Sequence, residues 1–509
     1  MVMLDEEGLG SRLIAPQDNP GSWSRDGGEP AAEPLSSHLD RRRPARLASE
    51  ASDAERGADP PAEVVARLLS AKAPRYTSYP TAVQFTADIG PDRHHRWLGA
   101  VPAGHPVSLY VHVPFCRRLC WYCGCSMKVS RRPEPIAQYA EDLEREIALV
   151  ANALGRRPRV GALHFGGGSP DSLPVERLDR LFTVLRRAFA LEPEAEIAAE
   201  LDPSFVTRDW IFEATRQGLN RASVGVQTLA EPVQRAIHRP LAFERLTDVV
   251  ASLRGAGIGA INMDLMYGLP HQRTADVLDT LERVLPLAPD RLAVFGYAHV
   301  PALRRHQTIF APDSLPGAEA RLEQAALAAE RLQAAGYQRI GLDHFALPTD
   351  DLARAHASGA MRRNFQGYTT DQADTLIGLG VSAISRLPEG FAQNTADLAA
   401  WRAALIEDRL PTARGVAFRP DDRLRGELIE RLMCDGSANL SALLVRFSPS
   451  PEVRDELSRA TDLLERAGLV SVAEGRLVIT EMGAPFVRSI CAAFDVDFDP
   501  DSGRHSRAI

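Results

Sequence analysis

Four cysteines fall within ten residues of this chain, in Cys116-Arg-Arg-Leu-Cys120-Trp-Tyr-Cys123-Gly-Cys125, and the other two, Cys434 and Cys491, lie far downstream. Thiolates are soft ligands, and a C-x3-C-x2-C triple can hold three corners of an iron–sulfur cube while leaving one iron open. An open iron can chelate a further ligand; a site closed by four cysteines cannot. Two other chemistries use clustered cysteines. Structural zinc suits the triple taken alone about as well, although zinc sites ordinarily bring a second Cys or His pair downstream, and none follows here. A disulfide framework belongs to small secreted chains, whereas 509 residues can bury a sizeable core without cross-links.

Further polar and glycine positions recur at regular intervals after the cysteines. Gly166-Gly-Gly-Ser-Pro170 would let backbone N–H and C=O groups approach a ligand closely, and a tight turn is the plain alternative. Glu200-Leu-Asp-Pro203 offers a carboxylate able to accept hydrogen bonds from a ribose or an amino group; Asp202 suits a helix cap better. Gly225-Val-Gln227 precedes Arg239 by twelve residues, and Asn262-Met-Asp264, Tyr267-Gly-Leu-Pro270 and Tyr297-Ala-His-Val-Pro301 follow. Each alone is ordinary; as a series they read as the lining of a mouth for a polar ligand.

The elements that must position these groups are short apolar runs: Val107–Phe115, Gly161–Phe165, Glu196–Glu200, Arg221–Gln227, Ala260–Tyr267 and Arg291–Ala298. Their Val, Ile and Leu content is that of strands buried on both faces. Helical patterns separate them, the first with Tyr139, Leu143, Ile147 and Val150 on one face. Six β–α repeats predict a parallel sheet with right-handed crossovers, either a partial barrel or a doubly wound sheet. In barrels chemistry gathers at the C-terminal strand ends, where the motifs above fall.

The rest of the chain is less informative. Residues 1–60, rich in Gly, Pro, Ser and charge with Trp23 as the one aromatic, are expected to be disordered, and Arg41-Arg-Arg43 within them reads as a solvated tail. A helix is predicted over Ala62–Ala71. Beyond about Ala400 the pattern is helical, closing on a strand pair, Leu469–Val472 and Leu477–Thr480, as in a small winged-helix-like module. A net charge of −8 argues against a nucleic-acid surface, no apolar run reaches the ~20 residues of a membrane span, and Asp5, Glu6 and Glu7 stand where a signal peptide wants positive charge. The expectation is a cytoplasmic monomer that binds neither nucleic acid nor membrane.

The cysteine spacing after an apolar strand resembles the radical SAM superfamily. The added Gly124-Cys125, with Arg75-Tyr-Thr-Ser-Tyr-Pro-Thr81, Gly341-Leu-Asp-His-Phe345, Arg363-Asn-Phe-Gln-Gly-Tyr-Thr-Thr370 and Gly378-Leu-Gly-Val-Ser-Ala-Ile384, narrows the resemblance to the oxygen-independent coproporphyrinogen III oxidases. It covers residues 72 to 509 and selects an α/β fold: a partial (βα)6 barrel over 107–345, a substrate-side segment 61–106 before it, a connecting segment 346–400 completing the site, and a mainly helical domain 401–509. The resemblance implies one [4Fe–4S] cluster and two S-adenosylmethionine (SAM) molecules. Cys116, Cys120 and Cys123 match the cluster ligands, and Cys125 matches a fourth cysteine that does not ligate. Tyr110, Gly167, Glu200, Ala298 and Ile384 match contacts of the SAM on the cluster; Tyr122, Gly168, Ser169, Gln227, Arg239 and Asp264 match contacts of the second. The family commonly carries Phe at Tyr122 and Thr at Ser169, changes that keep the aromatic plane and the hydroxyl. The implied reaction decarboxylates two propionates of coproporphyrinogen III to vinyl groups, drawing on an electron donor and an acceptor that the sequence does not identify. His299 and Arg304 are expected to receive propionates. The alternative is a haem-binding chaperone of the same superfamily, though such relatives usually lack the Gly-Cys pair and the Asn-Phe-Gln-Gly-Tyr-Thr-Thr run.

Overall fold

Seven parallel strands carry the site. They are β1 (Val107–Val113), β2 (Arg159–Gly167), β3 (Ala190–Leu201), β4 (Arg221–Gln227), β5 (Ala260–Tyr267), β6 (Arg291–Gly296) and β7 (Thr375–Leu379). The order across the sheet is β7-β1-β2-β3-β4-β5-β6. The computed structural model describes residues 72 to 499; the expected disordered extension 1–60 and the helix Ala62–Ala71 lie outside them. All six expected runs form strands, two with the expected ends and the others shifted by a few residues. The seventh was not foreseen: β7 comes from the segment expected to be a connector and pairs in parallel with β1, Tyr110 opposite Gly378.

Helices α1 (Pro133–Leu154), α2 (Val175–Ala188), α3 (Arg208–Arg216), α4 (Phe243–Gly255) and α5 (Thr274–Val284) cross between successive strands, and α6 (Ala318–Ala334) follows β6. α1 packs on α2, α2 on α3, α3 on α4 and α5 on α6, a succession that follows the strand order. Helices following the strands in this way build the outer layer of a partial barrel. α1 shows the local logic. Pro133 sits in its first turn, where the missing N–H is no loss, and Gly155 ends it at φ 61°. Its buried Leu143, Ile147 and Val150 meet Leu109 and Val111 of β1 in the main core. Residues two apart on a strand share a face, so with Leu109 and Val111 turned to the helices, Tyr110 and His112 face the barrel interior.

The sheet does not stop at the parallel strands. Beyond β6 it adds His344–Ala346 and Gln338–Ile340, and beyond β7 it adds Ile384–Leu387, Gly390–Asn394 and Thr412–Ala417, all antiparallel, to make twelve strands. The expected start of the helical domain at 401 is therefore early, because Thr412–Ala417 is still an edge of the large sheet. After it come the helices Asp422–Asp435, Leu440–Phe447 and Pro451–Arg466 and a three-stranded sheet. Its hairpin, Val470–Ala473 with Arg476–Ile479, is within a residue or so of the expected pair, and Ser437–Asn439 adds a third strand beside Arg476–Ile479. The described residues share one compact unit, and among them no helix is long and apolar enough to cross a membrane.

Candidate active site

β1 ends at Val113, and the chain turns through Pro114 and Phe115 into the cysteine loop. The loop's carbonyls are held from several directions. Leu119 O accepts from His238 Nδ1 (2.8 Å), Tyr122 O from Gln307 Nε2 (2.9 Å), Cys123 O from His306 Nε2 (2.7 Å) and Gly124 O from Arg304 Nε (2.9 Å). Ser126 O meets His112 Nε2 at 2.9 Å, Ile237 O accepts the Trp121 N–H (3.0 Å), and the Trp121 ring stacks on His238. Fixing the backbone this way sets where the thiols stand before any ligand arrives. Sequence reading missed these holders, because single His and Gln residues far apart in the chain carry no spacing signal. It also assigned Arg304 and His299 to the substrate. The structure instead turns Arg304 Nε onto the loop carbonyl, and His299 onto the Tyr297 hydroxyl at 3.1 Å.

The three thiols differ in environment. Burial pushes Cys116 up to about 12, with the neighbouring Cys123 and Cys120 adding to it. A hydrogen bond from Cys125 brings Cys123 down to about 7 against its burial. Cys120, buried, takes the Arg239 guanidinium at 3.5 Å. The thiols are thus near enough to act on one another electrostatically, yet among the described residues no three His, Cys, Asp or Glu side chains converge as a single metal ion needs. Three thiolates clustered in one loop can serve a polynuclear group, which takes its ligands on separate metals.

The glycine run faces this loop. Gly168 N–H donates to Val113 O and Ser169 N–H to Phe115 O, each at 2.8 Å, and Ser169 Oγ approaches the Cys116 sulfur at 3.7 Å. A Cβ on Gly168 would stand 2.7 Å from Phe115 O, so only glycine lets the two backbones approach this closely. Gly167, at φ 110°, gives its N–H to Glu200 Oε2 (3.2 Å), and a Cβ on Gly166 would strike Glu200 and the Tyr110 ring. Burial pushes the Glu200 carboxyl up, but the hydrogen bond from His164 (3.2 Å), its charge and the Gly167 N–H outweigh it and hold the group below its ordinary range. An ionised acceptor thus waits beside Tyr110, whose ring stacks on His164.

Across the mouth, Arg239 is buried. Its Nη1 pairs with Asp202 at 2.9 Å and its Nη2 reaches Gly225 O at 2.7 Å. Gln227 closes β4 at φ 68°, left-handed and unusual for a side chain of this size, a kind of strain that gathers at ligand sites. A Cβ on Gly225 would meet both Arg239 and Gln227, so the two side chains meet over that glycine. On β5, Asp264 accepts from Ser223 Oγ (2.9 Å) and Asn262 Nδ2 (2.7 Å); burial raises it to about 6. Tyr122 packs beside Val233, Leu269 and Phe310. Ala298, just past β6, gives its carbonyl to Gln307 (3.3 Å), and Ile384 opens the strand beside β7 with its backbone against Gly378. The structure therefore brings Tyr110, Gly167 and Glu200 together, sets Gly168 and Ser169 against the start of the cysteine loop at Phe115 and Cys116, and gathers Cys120 and Gln227 about Arg239. Asp264 stands near Glu200, close enough to feel its charge, while Ala298 and Ile384 lie at the two flanks.

The model of the radical SAM superfamily matches residues 110–284. An oxygen-independent coproporphyrinogen III oxidase of Bradyrhizobium diazoefficiens is 48% identical, with 86% of this chain and 97% of the relative covered. One of Cereibacter sphaeroides is 41% identical over 84% and 95%. Among solved structures, coproporphyrinogen III oxidase (HemN) from Escherichia coli, described as a radical SAM enzyme, superposes with a TM-score of 0.79 at 37% identity, covering 83% of this chain and 97% of that one.

Proposed function

The chain belongs to the oxygen-independent coproporphyrinogen III oxidases of the radical SAM superfamily, and from that premise we propose that it converts two propionate side chains of coproporphyrinogen III to vinyl groups, giving protoporphyrinogen IX. A [4Fe–4S] cluster with SAM supplies, when bound, the one-electron chemistry that removes a hydrogen from the propionate β-carbon, after which CO2 and an electron depart. The hard step belongs to the cofactor, and the protein's part is to hold, orient and exclude.

The observation that carries this reading is the cysteine loop, its backbone fixed from four sides and its thiols left for a ligand. Cys116, Cys120 and Cys123 would take three irons. Glu200, ionised beside the Gly167 N–H, suits the amino group or ribose of SAM, with Tyr110, Ala298 and Ile384 completing its walls. A second SAM fits the side where Gln227 and Arg239 meet over Gly225, with Tyr122, Gly168, Ser169 and Asp264. There Arg239 acts first as a clamp, since its Nη groups already hold Asp202, Gly225 and Cys120. The electron leaving the substrate goes to an acceptor outside this chain. The haem-chaperone alternative finds no support in relatives that bear the oxidase name.

Iron and sulfide content after anaerobic reconstitution tests the ligand set. Serine at Cys116, Cys120 or Cys123 is expected to lose the four-iron signal, whereas Cys125→Ser keeps it. A Cys125→Ser protein without a cluster, or a Cys120→Ser protein with a full one, would overturn the assignment.

A further inference from the structure

A cavity of about 260 Å³ lies at the flank of the barrel, and the tail ends of β5 and β6, Tyr267 and Gly296, are part of its wall. It therefore reaches the same end of the parallel strands from which the cysteine loop leaves. Five arginines line it, Arg75, Arg321, Arg339, Arg363 and Arg488, against a single acid, Asp343. Arg321, Arg363 and Arg488 are themselves buried.

Backbone carbonyls aim several of these guanidinium groups. Arg363 donates to Tyr76 O (3.1 Å) and Arg75 O (3.2 Å), Arg488 to Pro74 O (2.9 Å), and Arg75 to Gly296 O (3.2 Å). A carbonyl orients a guanidinium without neutralising it. Among the described residues neither Arg75, Arg339 nor Arg363 forms an ion pair. The Asp343 carboxylate is held by His344 at 2.8 Å, and with the charges of His344, Arg363 and Arg75 it stays below its ordinary range despite burial. Burial and the charges of Arg75 and Arg363 bring Arg488 down to about 9. Glycine also makes room here: a Cβ on Gly268 would lie 2.5 Å from Arg321 Nη1. Like charges brought together under cover are unfavourable unless an anion joins them.

The planar fork of arginine matches carboxylate geometry. The volume is below the roughly 300–1,000 Å³ of sites that enclose a whole drug-sized ligand, so it suits a carboxylate arm and not a macrocycle. None of the cysteines, nor Glu200 or Gln227, lines it, so an arm held here is not the one that reacts. We propose that this cavity anchors the propionate carboxylates that the reaction leaves intact, with Arg75 and Arg363 as their receivers, an inference that rests on the reaction proposed above.

Arg75 and Arg339 are exposed at their positions, so shortening them leaves no buried charge behind. Arg75→Gln and Arg339→Gln are made in the full chain with its cluster. Dissociation constants are measured by fluorescence for coproporphyrin III and for its tetramethyl ester, together with KM and kcat for coproporphyrinogen III. Arg75→Gln is expected to weaken the tetra-acid about tenfold or more, to leave the uncharged ester unaffected, and to raise KM while kcat holds. If both variants bind the tetra-acid as tightly as the parent, the inference is overturned while the proposed reaction stands. If the parent cleaves SAM but leaves coproporphyrinogen III untouched, the reaction falls and takes this inference with it.

Discussion

Arg239→Met examines how the site is held together. The guanidinium and the Asp202 carboxylate lie 2.9 Å apart with less than a tenth of either side chain exposed, and Gly225 O takes a second donor at 2.7 Å. Removing one partner of such a pair strands the other charge, which costs about 3–5 kcal/mol. Removing both with Asp202→Asn leaves only neutral groups short of hydrogen bonds, each costing about 1–3 kcal/mol. The double variant should therefore be more stable than the sum of the single losses predicts, by about 2 kcal/mol or more. Urea unfolding of the four proteins under anaerobic conditions, with iron retention read alongside, measures the coupling. Arg239→Met should also shed iron faster, since Cys120 loses the donor at 3.5 Å. Strict additivity, or a single variant within about 1 kcal/mol of the parent, would refute the idea that this pair braces the cysteine loop.

Other perturbations follow from the same geometry. Gly168→Ala drives a methyl to 2.7 Å from Phe115 O, an overpacking of about 1–3 kcal/mol, and should lower cluster retention; Gly161→Ala, on the strand that leads to Gly168, meets only Glu192 at 3.6 Å and should not, a contrast that iron analysis reads directly. Asp264, raised by burial from 3.8 to about 6, keeps its proton longer in the folded chain than in the unfolded one. Between those values the folded state binds the extra proton, so its contribution to stability is full below pH 3.8 and is lost as pH rises to 6, by about 3 kcal/mol. Asp264→Asn should flatten that slope in unfolding measured across roughly pH 4 to 7; an unchanged slope contradicts the assignment.

The parallel strands were legible because burial on both faces writes continuous apolar runs, and the cysteine loop because its chemistry needs clustered thiols. β7 was not, since Thr375–Leu379 is short and sits amid glycines that read equally as loop. Thr412–Ala417 was hidden for a related reason: TARGVA has exposed Ala413 and Arg414 and a glycine at the sheet edge and follows a helix. Within the site, Glu200 and the glycine run announced themselves at strand ends. The loop's holders did not, because His238, His306 and Gln307 act through single backbone contacts that only tertiary structure creates. The arginine cavity was equally invisible, as its members come from residues 75, 321, 339, 363 and 488. Tertiary contacts also gave Arg304, expected at the substrate, to Gly124 instead.

The most direct measurement is an anaerobic turnover of the reconstituted chain with a reductant, SAM, an electron acceptor and coproporphyrinogen III. Vinyl-bearing product, CO2 and 5′-deoxyadenosine are counted together. The expected result is protoporphyrinogen IX with two CO2 released per molecule, abolished in Cys120→Ser. SAM cleavage without CO2, or product that persists in Cys120→Ser, would contradict it.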